Sequence, residues 1–437
     1  MVIRGDGLRV GRRLADHGGP GVSFVPLDPK RGIARLVLEK GKEGSIDISP
    51  LKGDTIQADL RNRDFTVNAI AVKVSDVLAT GLQNLIDPLG GQGDLKMGRV
   101  RACSREAFKD DPLRMLRAFR LNASLGFGIC ADTIALIASS LTELRAVAQE
   151  RIRDELVAIL AEDRSWNAVL ALDRHGIIDA LFPELLPMKG ATQNYYHHLD
   201  VWGHTLETVH QMEIILENRP AFFRGLSEKV DAYTKEEAVI GRPRKALLKL
   251  AAIFHDAGKP HCMITDEEGR VRFFGHEKVS REIFEEEGNR LKLAGREIRA
   301  ISLLIEGHMR PMILTGPSVT RRAAYRLCRS FQRDLVGLLL LFLADLGASR
   351  GPAREAGAYE RAFEHVRMIL GLLFESEESP SAPLLNGRDL IRLFGLEPGP
   401  YLGGILKTLA ELQGSGEINT PEEAVAFVKG IIGEKKL

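Results

Sequence analysis

Two stretches of the sequence decide how the rest is interpreted: RNRDFTVNA at residues 61–69 and DDPLRMLRAFR at residues 110–120. In the first, a charged run leads into residues 67–74, whose alternation predicts a β-strand. The Arg63 guanidinium can contact a phosphate or a ribose. Asp64 can orient that guanidinium or accept a hydrogen bond from a sugar hydroxyl. Taken singly, each residue is equally well explained by a salt bridge at a strand end.

The second stretch predicts a helix over residues 108–125 with one charged side. Its charged residues recur every three positions, so at 3.6 residues per turn they drift slowly round the helix. They are Asp111, Arg114, Arg117 and Arg120. Planar guanidinium donors together with a carboxylate acceptor suit the edge of a base and a triphosphate. The alternative is a solvated helix face with ordinary salt bridges.

The composition gives no separate sign of a nucleic-acid partner. The 437 residues include 60 Lys and Arg against 59 Asp and Glu, a formal net charge of +1, so such binding depends on local clustering. Four scattered cysteines argue against a disulfide framework or a zinc ribbon and fit a reducing cytoplasm. The longest apolar run, residues 336–344, is far shorter than the roughly 20 residues of a membrane span, so we expect a soluble, cytoplasmic protein without a membrane partner.

The pattern along the chain predicts an α+β head followed by a helical body. In two segments apolar and polar residues alternate as they do in strands. From Arg105 onward apolar residues recur at helical spacing. The predicted strands, besides 67–74, are 33–38 and 45–49, and the predicted helices, besides 108–125, are 131–144, 150–160 and 166–175. Breaks fall near residues 190–198 and at 375–383, where Glu, Ser and Pro indicate a solvated linker.

A second group of chemistry-bearing residues lies in the body. In chain order they are His204, His255, Asp256, His276, His308 and Asp345. His204 falls in an amphipathic helix, the adjacent His255 and Asp256 end an apolar helix over residues 247–254, and Asp345 ends a third. Imidazole nitrogens and carboxylate oxygens suit Mn, Fe, Ni, Zn or Mg. A lone histidine on such a helix is more often a core or surface residue, but the ordered series is more specific.

Taken together, the two opening stretches, IDPLGG at residues 86–91 and RIRDEL at 151–156 resemble the bacterial CCA-adding tRNA nucleotidyltransferases and poly(A) polymerases. The resemblance implies a polymerase-beta-like head in which protein side chains, without a nucleic-acid template, select C or A. It also implies that residues 87–101 form a flexible loop that helps to switch between nucleotides. Asn62 departs from the pattern, because the family often has a second Arg there. The positions that match its nucleotide-binding residues are Arg63, Asp64, Asp111, Arg114, Arg117 and Arg120.

The larger departure concerns the metal-binding carboxylates of the head. Members of the family hold Mg²⁺ with an Asp-x-Asp pair, and no Asp-x-Asp occurs in these 437 residues. Residues 5–28 resemble the stretch that follows this pair, so the head is expected to be incomplete at its start, through a misassigned start codon, trimming or genuine truncation. Asp47 matches a third carboxylate, or is an ordinary strand-end Asp. Without the pair, this polypeptide is not expected to transfer nucleotides.

The series in the body resembles the HD phosphohydrolases, all-helical metal-dependent phosphatases and phosphodiesterases. That resemblance implies that the metal ligands are His204, His255, Asp256 and Asp345, with His276 and His308 as further ligands where two metals bind. A bound metal generates a hydroxide from water, and Lys259 would neutralise substrate phosphate. Residues 385–424 resemble the C-terminal helical module of HD-containing tRNA nucleotidyltransferases, which implies a contact with the far part of a tRNA.

The sequence therefore predicts a template-independent RNA nucleotidyltransferase that adds C and/or A to the 3′ end of tRNA, or a poly(A) tail, from CTP and ATP. Its predicted parts are a head (1–100), a helical neck that binds nucleotide and RNA (101–190), an HD domain (191–350) and an RNA-binding module (351–437). Two alternatives stay open: an HD phosphatase or phosphodiesterase with an inactive nucleotide-binding head, and a non-catalytic RNA-binding protein. The choice between CCA, CC, A and poly(A) addition and the oligomeric state are not fixed by the sequence.

Overall fold

The computed structural model describes residues 1–38, 44–352, 355–378 and 382–434, and it divides into two compact units, Met1–Ala146 and Val147–Leu437. The first unit combines a small sheet with short helices. The second is built almost entirely of helices, with two short β-ribbons. The predicted class, an α+β head followed by a helical body, is confirmed.

A four-stranded sheet forms the base of the first unit. Its strands are β1 (Val2–Ile3), β2 (Val22–Asp28), β3 (Ile33–Leu38) and β4 (Gly44–Pro50), in the order β1-β4-β3-β2. Strand β1 runs parallel to β4, and the other neighbours are antiparallel. Helix α1 (Gly7–Gly18) packs on this sheet, burying Ala15 against Leu36 and Ile48. The strands predicted at 33–38 and 45–49 are confirmed.

The strand predicted at residues 67–74 is wrong, because a 3₁₀ turn, Thr66–Asn68, occupies its start. The Asp64 carboxylate accepts hydrogen bonds from the Phe65 amide and from the Asn68 side chain, a local pairing that competes with a sheet ladder. The segment predicted as a loop at 87–101 is partly regular, and its flexibility and role in switching between nucleotides stay a prediction. It contains α4 (Gly91–Lys96) and β5 (Arg99–Val100), and Asp87 accepts from the first amides of α4.

The helix predicted at residues 108–125 is two helices. They are α5 (Ala107–Asp110) and α6 (Arg114–Leu125). Between them Asp111 is extended, with φ −150° and ψ 97°, because the ring of Pro112 excludes helical geometry from the residue before it. The remaining α-helices and strands of this unit are α2 (Ile56–Arg61), α3 (Val74–Thr80), β6 (Gly128–Ile129), which pairs with β5, and α7 (Ala131–Ala138), shorter than the predicted 131–144.

The second unit begins with α8 (Gln149–Ala161) and α9 (Trp166–Arg174), which confirm the helices predicted at 150–160 and 166–175. Its other helices are α10 (Ile177–Leu181), α11 (Val201–Glu217), α12 (Arg219–Phe223), α13 (Ser227–Lys235), α14 (Arg244–Phe254), α15 (His276–Arg290), α16 (Gly295–Gly307), α17 (Arg321–Phe331), α18 (Leu335–Ala348), α19 (Ala358–Glu378), α20 (Gly387–Phe394), α21 (Pro400–Gly414) and α22 (Pro421–Glu434). The ribbons pair β7 (Glu237–Val239) with β8 (Arg242–Pro243), and β9 (Ile264–Thr265) with β10 (Val271–Arg272).

The linker predicted at residues 375–383 is corrected in part. Residues 375–378 complete α19, and residues 379–381 lie outside the described part of the chain. The tail contains two capped helices: Asn386 caps α20, Gly395 ends it with φ 64°, and Pro400 opens α21. Over the described ranges, no helix has the length and apolar content needed to cross a membrane.

The core of the second unit surrounds α18, which is buried along its whole length apart from Asp345. Helix α18 packs against α11, α14 and α16, so the apolar run at 336–344 is a core helix. Because Asp345 is in the last turn of α18 and His204 is in the first turn of α11, the packing of these helices brings two polar side chains together at one end of the core.

A buried ion pair joins α14 to α11 and to the start of α9. The Lys249 side chain is 1% exposed, and its ammonium lies 2.8 Å from Glu213 Oε1. It also donates to the Ser165 hydroxyl and to the Glu162 carbonyl. The Glu213 carboxylate accepts in addition from the amides of Ser165 and Trp166. These partners compensate both charges for the loss of water.

We predict that Lys249→Met destabilises the protein by about 3 to 5 kcal/mol, because it leaves a buried carboxylate without its counter-charge. Lys245→Met is the matched control one turn earlier on α14, because its partner Asp163 is 81% exposed, and it costs under about 1 kcal/mol. The free energy of unfolding in urea measures both. Equal losses of unfolding free energy in the two variants would contradict the conclusion that Lys249 compensates a buried carboxylate.

Candidate nucleotide site and metal centre

The structure joins the two opening sequence stretches through one ion pair in the first unit. The Arg117 guanidinium, on α6, lies 2.7 Å from Asp64 Oδ2. Burial acts to raise the pKa of Asp64, but the charge of Arg117 and the hydrogen bonds of the Phe65 amide and Asn68 outweigh it, so the pKa is lowered. Asp64 is therefore an ionised, buried carboxylate that fixes the position of Arg117.

Two further arginines of the predicted set are held nearby. Arg63 lies 3.2 Å from the buried carboxylate of Asp59. The Arg114 guanidinium donates to the backbone carbonyls of Asn62, at 2.8 Å, and Ala107, at 3.2 Å. Both contacts hold a long cationic side chain in one orientation. They also show that Asn62, the position that departs from the family pattern, contacts Arg114 through its backbone.

The charged side of α6 has the predicted periodicity. Its three arginines are half-buried and alternate with buried apolar residues of the core. Asp111, just before α6, accepts from the Leu113 amide through its side chain. The structure thus places Arg114, Arg117 and Arg120 on one side of a helix, with Asp111 at its N-terminal end. Their roles in nucleotide binding stay a prediction.

The structure places Asp47 in the middle of β4, not at a strand end. Its carboxylate accepts two hydrogen bonds from Arg35 on β3, at 2.6 and 2.8 Å, and these bonds lower the pKa of Asp47. A metal-binding role for Asp47 would require Arg35 to move away. Asp94, to which the sequence interpretation gave no role, is buried and bonded to Thr66 and Arg101.

In the second unit the predicted metal ligands converge from five helices. His204 is in the first turn of α11, His255 and Asp256 directly follow α14, His276 starts α15, His308 follows α16 and Asp345 is near the end of α18. Ligand atoms lie within 4.8 Å of one another in two groups. The groups are His204, His255 and Asp345, and Asp256, His276 and His308. These six residues are called the HD centre below.

Asp256 is in the middle of the HD centre. Its Oδ2 lies 3.1 Å from His255 Nε2 and 2.6 Å from Lys259 Nζ, and its Oδ1 lies 3.3 Å from His276 Nε2. Burial acts to raise the pKa of Asp256, but the charges of His255 and Lys259 outweigh it and hold the pKa well below its usual range. His204 Nε2 lies 3.0 Å from Asp345 Oδ1.

The histidine rings are oriented as metal ligands usually are. The Nδ1 atoms of His255, His276 and His308 each lie 2.6 to 2.8 Å from the backbone carbonyl three residues earlier. Donation from Nδ1 leaves the Nε2 lone pair directed at the centre. Among the described residues, His255 Nε2 and both Asp256 oxygens are buried without a well-directed hydrogen bond. Unsatisfied buried acceptors of this kind fit a divalent metal.

A cavity of about 450 Å³ opens on the HD centre. Lys259 and Arg272 contribute positive charge to its wall, and Tyr196 and Phe274 contribute aromatic rings. His197 also lines it, with its ring 4.5 Å from that of His204, and burial lowers the pKa of His197 to about 3. The sequence interpretation missed His197, because residues 190–198 were marked only as a break between helices.

Comparisons with known proteins identify matching domains in both units. Residues 31–101 match the poly A polymerase head domain, 126–189 match the probable RNA and SrmB-binding site of polymerase A, and 201–345 match the HD domain. The fold is that of a solved CCA-adding enzyme in complex with CTP (TM-score 0.65, 22% identity), with 99% of this chain and 86% of that chain covered. The class is therefore a nucleotidyltransferase with a polymerase head and an HD domain.

Curated relatives narrow this class. The A-adding tRNA nucleotidyltransferase of Deinococcus radiodurans is 36% identical over 421 residues, which cover 94% of this chain and 86% of the relative. The CC-adding tRNA nucleotidyltransferase of Thermus thermophilus is 33% identical over 414 residues, with 93% and 84% covered. The chain belongs to the tRNA nucleotidyltransferase family, and so to a family of enzymes.

We predict that protein purified without chelator contains a divalent metal, and that Asp256→Asn reduces its content by at least about tenfold, because loss of one charged ligand costs more than 1.4 kcal/mol of binding. His261→Ala is the control, because this exposed histidine lies outside the HD centre. Elemental mass spectrometry measures the content. A wild-type protein without metal would contradict the proposed metal site. An Asp256→Asn variant with the same metal content as the wild type would also contradict it.

Proposed function

We propose that this protein adds C and/or A to the 3′ end of tRNA, from CTP and ATP and without a template. The observation that carries the proposal is the Arg117–Asp64 ion pair, which brings the two sequence motifs into one site. Family membership supports it, because the relatives with high coverage are named A-adding and CC-adding tRNA nucleotidyltransferases. A solved structure of similar fold is the Thermotoga maritima CCA-adding enzyme complexed with tRNA.

The roles we propose rest on side-chain chemistry and on the positions of these residues. Asp111 and Arg114, at the start of α6, offer an acceptor and a fork of donors to a base edge. Arg63 and Arg120 hold the triphosphate, and Asp64 keeps Arg117 in place. Transfer uses Mg²⁺ on a carboxylate pair. We assign no residue of the described part of the chain to that pair, and Asp47 stays a proposed third carboxylate.

A second activity is supported by the HD centre. We propose that it is a metal-dependent phosphohydrolase, with Mn, Ni, Fe, Zn or Mg held by His204, His255, Asp256 and Asp345. When bound, the metal supplies an activated water. Lys259 and Arg272 neutralise the phosphate in the cavity, and the buried walls limit access of bulk water.

The proposed organisation follows the sequence prediction: a head (1–100), a nucleotide- and RNA-binding neck (101–190), an HD domain (191–350) and an RNA-binding tail (351–437). Four cysteines free of disulfides support the cytoplasm as the proposed compartment. Two alternatives to these proposals remain. The protein is an HD phosphohydrolase whose head only binds nucleotide, or it is a non-catalytic RNA-binding protein. Activity measurements separate the three.

We predict that Arg114→Ala weakens CTP and ATP binding at least about tenfold, because a hydrogen bond from a charged donor contributes roughly 1.5 to 3 kcal/mol. Arg105→Ala, nearby and exposed, is the control and leaves binding unchanged. Isothermal titration calorimetry measures both. Unchanged affinity in Arg114→Ala would contradict the proposed site.

Transfer is tested separately with labelled CTP or ATP, tRNA and Mg²⁺. We expect no incorporation by the 437-residue polypeptide, because no Asp-x-Asp is present in it. The matched comparison is the same polypeptide with a segment that supplies an Asp-x-Asp pair fused ahead of residue 1, for which we expect incorporation. Incorporation by the 437-residue polypeptide would contradict the first expectation, and its absence from both proteins would contradict nucleotide addition.

A further inference from the structure

The ammonium of Lys259 is held between two acceptors at the edge of the cavity. Its Nζ lies 2.6 Å from Asp256 Oδ2 and 2.7 Å from Gln193 Oε1. An ammonium has three N–H donors. One of them donates to Gln193, and the contact with Asp256 is a close ion pair without a well-directed hydrogen bond, which leaves donors for a group that enters the cavity lined by Lys259.

The Gln193 amide has a defined orientation. Its Nε2 donates to the backbone carbonyls of Leu199, at 3.3 Å, and Asp200, at 3.2 Å. Carbonyl oxygens only accept, so the NH₂ group must face them, and the amide oxygen must face Lys259. The hydrogen bonds on both sides of the amide therefore agree, and Gln193 presents a neutral acceptor to the ammonium.

The loop that carries Gln193 is fixed at both ends. Asp200 caps α11, accepting from the amides of Gly203 at 2.7 Å and Gly190 at 2.6 Å. On the other side, the Gly351 amide donates to the Tyr196 carbonyl. A Cβ at position 351 would lie 2.3 Å from the Tyr195 carbonyl oxygen, so this approach requires glycine. The position of Gln193 is thus set by the helices that carry the HD centre.

We propose that Gln193 is a positioning residue of the HD centre, which directs Lys259 toward substrate phosphate without neutralising its charge. A carboxylate at this position would also accept from Lys259, but it would add a negative charge beside the phosphate. A neutral amide holds the ammonium and adds no further negative charge beside the phosphate. The proposal rests on the proposed phosphohydrolase activity.

The first test needs neither metal nor activity. Chelator-treated protein is labelled with acetic anhydride, and the labelling of each lysine is followed by peptide mass spectrometry. We expect Gln193→Ala to raise the labelling rate of Lys259, because a tether is lost, and Gln193→Glu to leave it at or below the wild-type rate. Thr192→Ala, next to Gln193 and exposed, is the control with no effect. The labelling rate of buried Lys249 shows whether a variant has lost its fold.

The second test uses Mn²⁺-loaded protein with a dianionic monoester, p-nitrophenyl phosphate, and a monoanionic diester, bis(p-nitrophenyl) phosphate. We expect Gln193→Ala to lower kcat/KM roughly tenfold for both, the loss of about one hydrogen bond to a charged group. Gln193→Glu should raise KM more for the monoester than for the diester, because the added charge repels a dianion more strongly. A merely structural role predicts equal effects on both substrates.

Unchanged labelling of Lys259 in Gln193→Ala, or labelling of Lys249 that rises by the same factor, would overturn the inference. Equal changes in KM for the two esters in Gln193→Glu would also overturn it. If the wild-type protein hydrolyses neither ester, the proposed phosphohydrolase function fails by itself. Calorimetric binding of inorganic phosphate to the Mn²⁺-loaded protein then decides: weaker binding in both Gln193 variants supports the positioning role, and unchanged binding refutes it.

Discussion

Asp256 imposes the constraint on which the second unit depends. A carboxylate buried this completely costs several kcal/mol unless opposite charges and donors surround it. His255, His276 and Lys259 lie within 3.3 Å of its oxygens. Because these groups come from the ends of α14 and α15, and His204 and Asp345 from α11 and α18, the helix ends must meet at one point. The packing around α18 produces that meeting.

The first unit depends on a second buried carboxylate in the same way. Asp64 is ionised because Arg117 lies against it, and the pair ties the 61–69 motif to α6. Arg114 crosses between the same segments through its bond to the Asn62 carbonyl. Both units therefore use a buried acid to fix cationic side chains, so that these do not need to be ordered when a phosphate binds.

Much of the HD centre could be predicted from sequence, because the order of its residues resembles the HD phosphohydrolases and because His204, His255 and Asp345 lie in or directly after apolar helices. The arginine side of α6 was predictable because its residues recur at helical spacing. The break at Asp111 was missed because the effect of Pro112 on the residue before it was not weighed against periodicity. The strand at 67–74 failed because side-chain bonds of Asp64 override alternation. Gln193 and His197 were missed because a loop has no periodicity, and only the tertiary fold brings them to the HD centre.

The location of bound CTP tests the central claim most directly. We would determine the crystal structure of the chain with CTP and locate the nucleotide in the difference density. The account predicts a base beside Asp111 and Arg114 in the first unit. A CTP that binds in the HD cavity alone, or a first unit with no nucleotide, would contradict it.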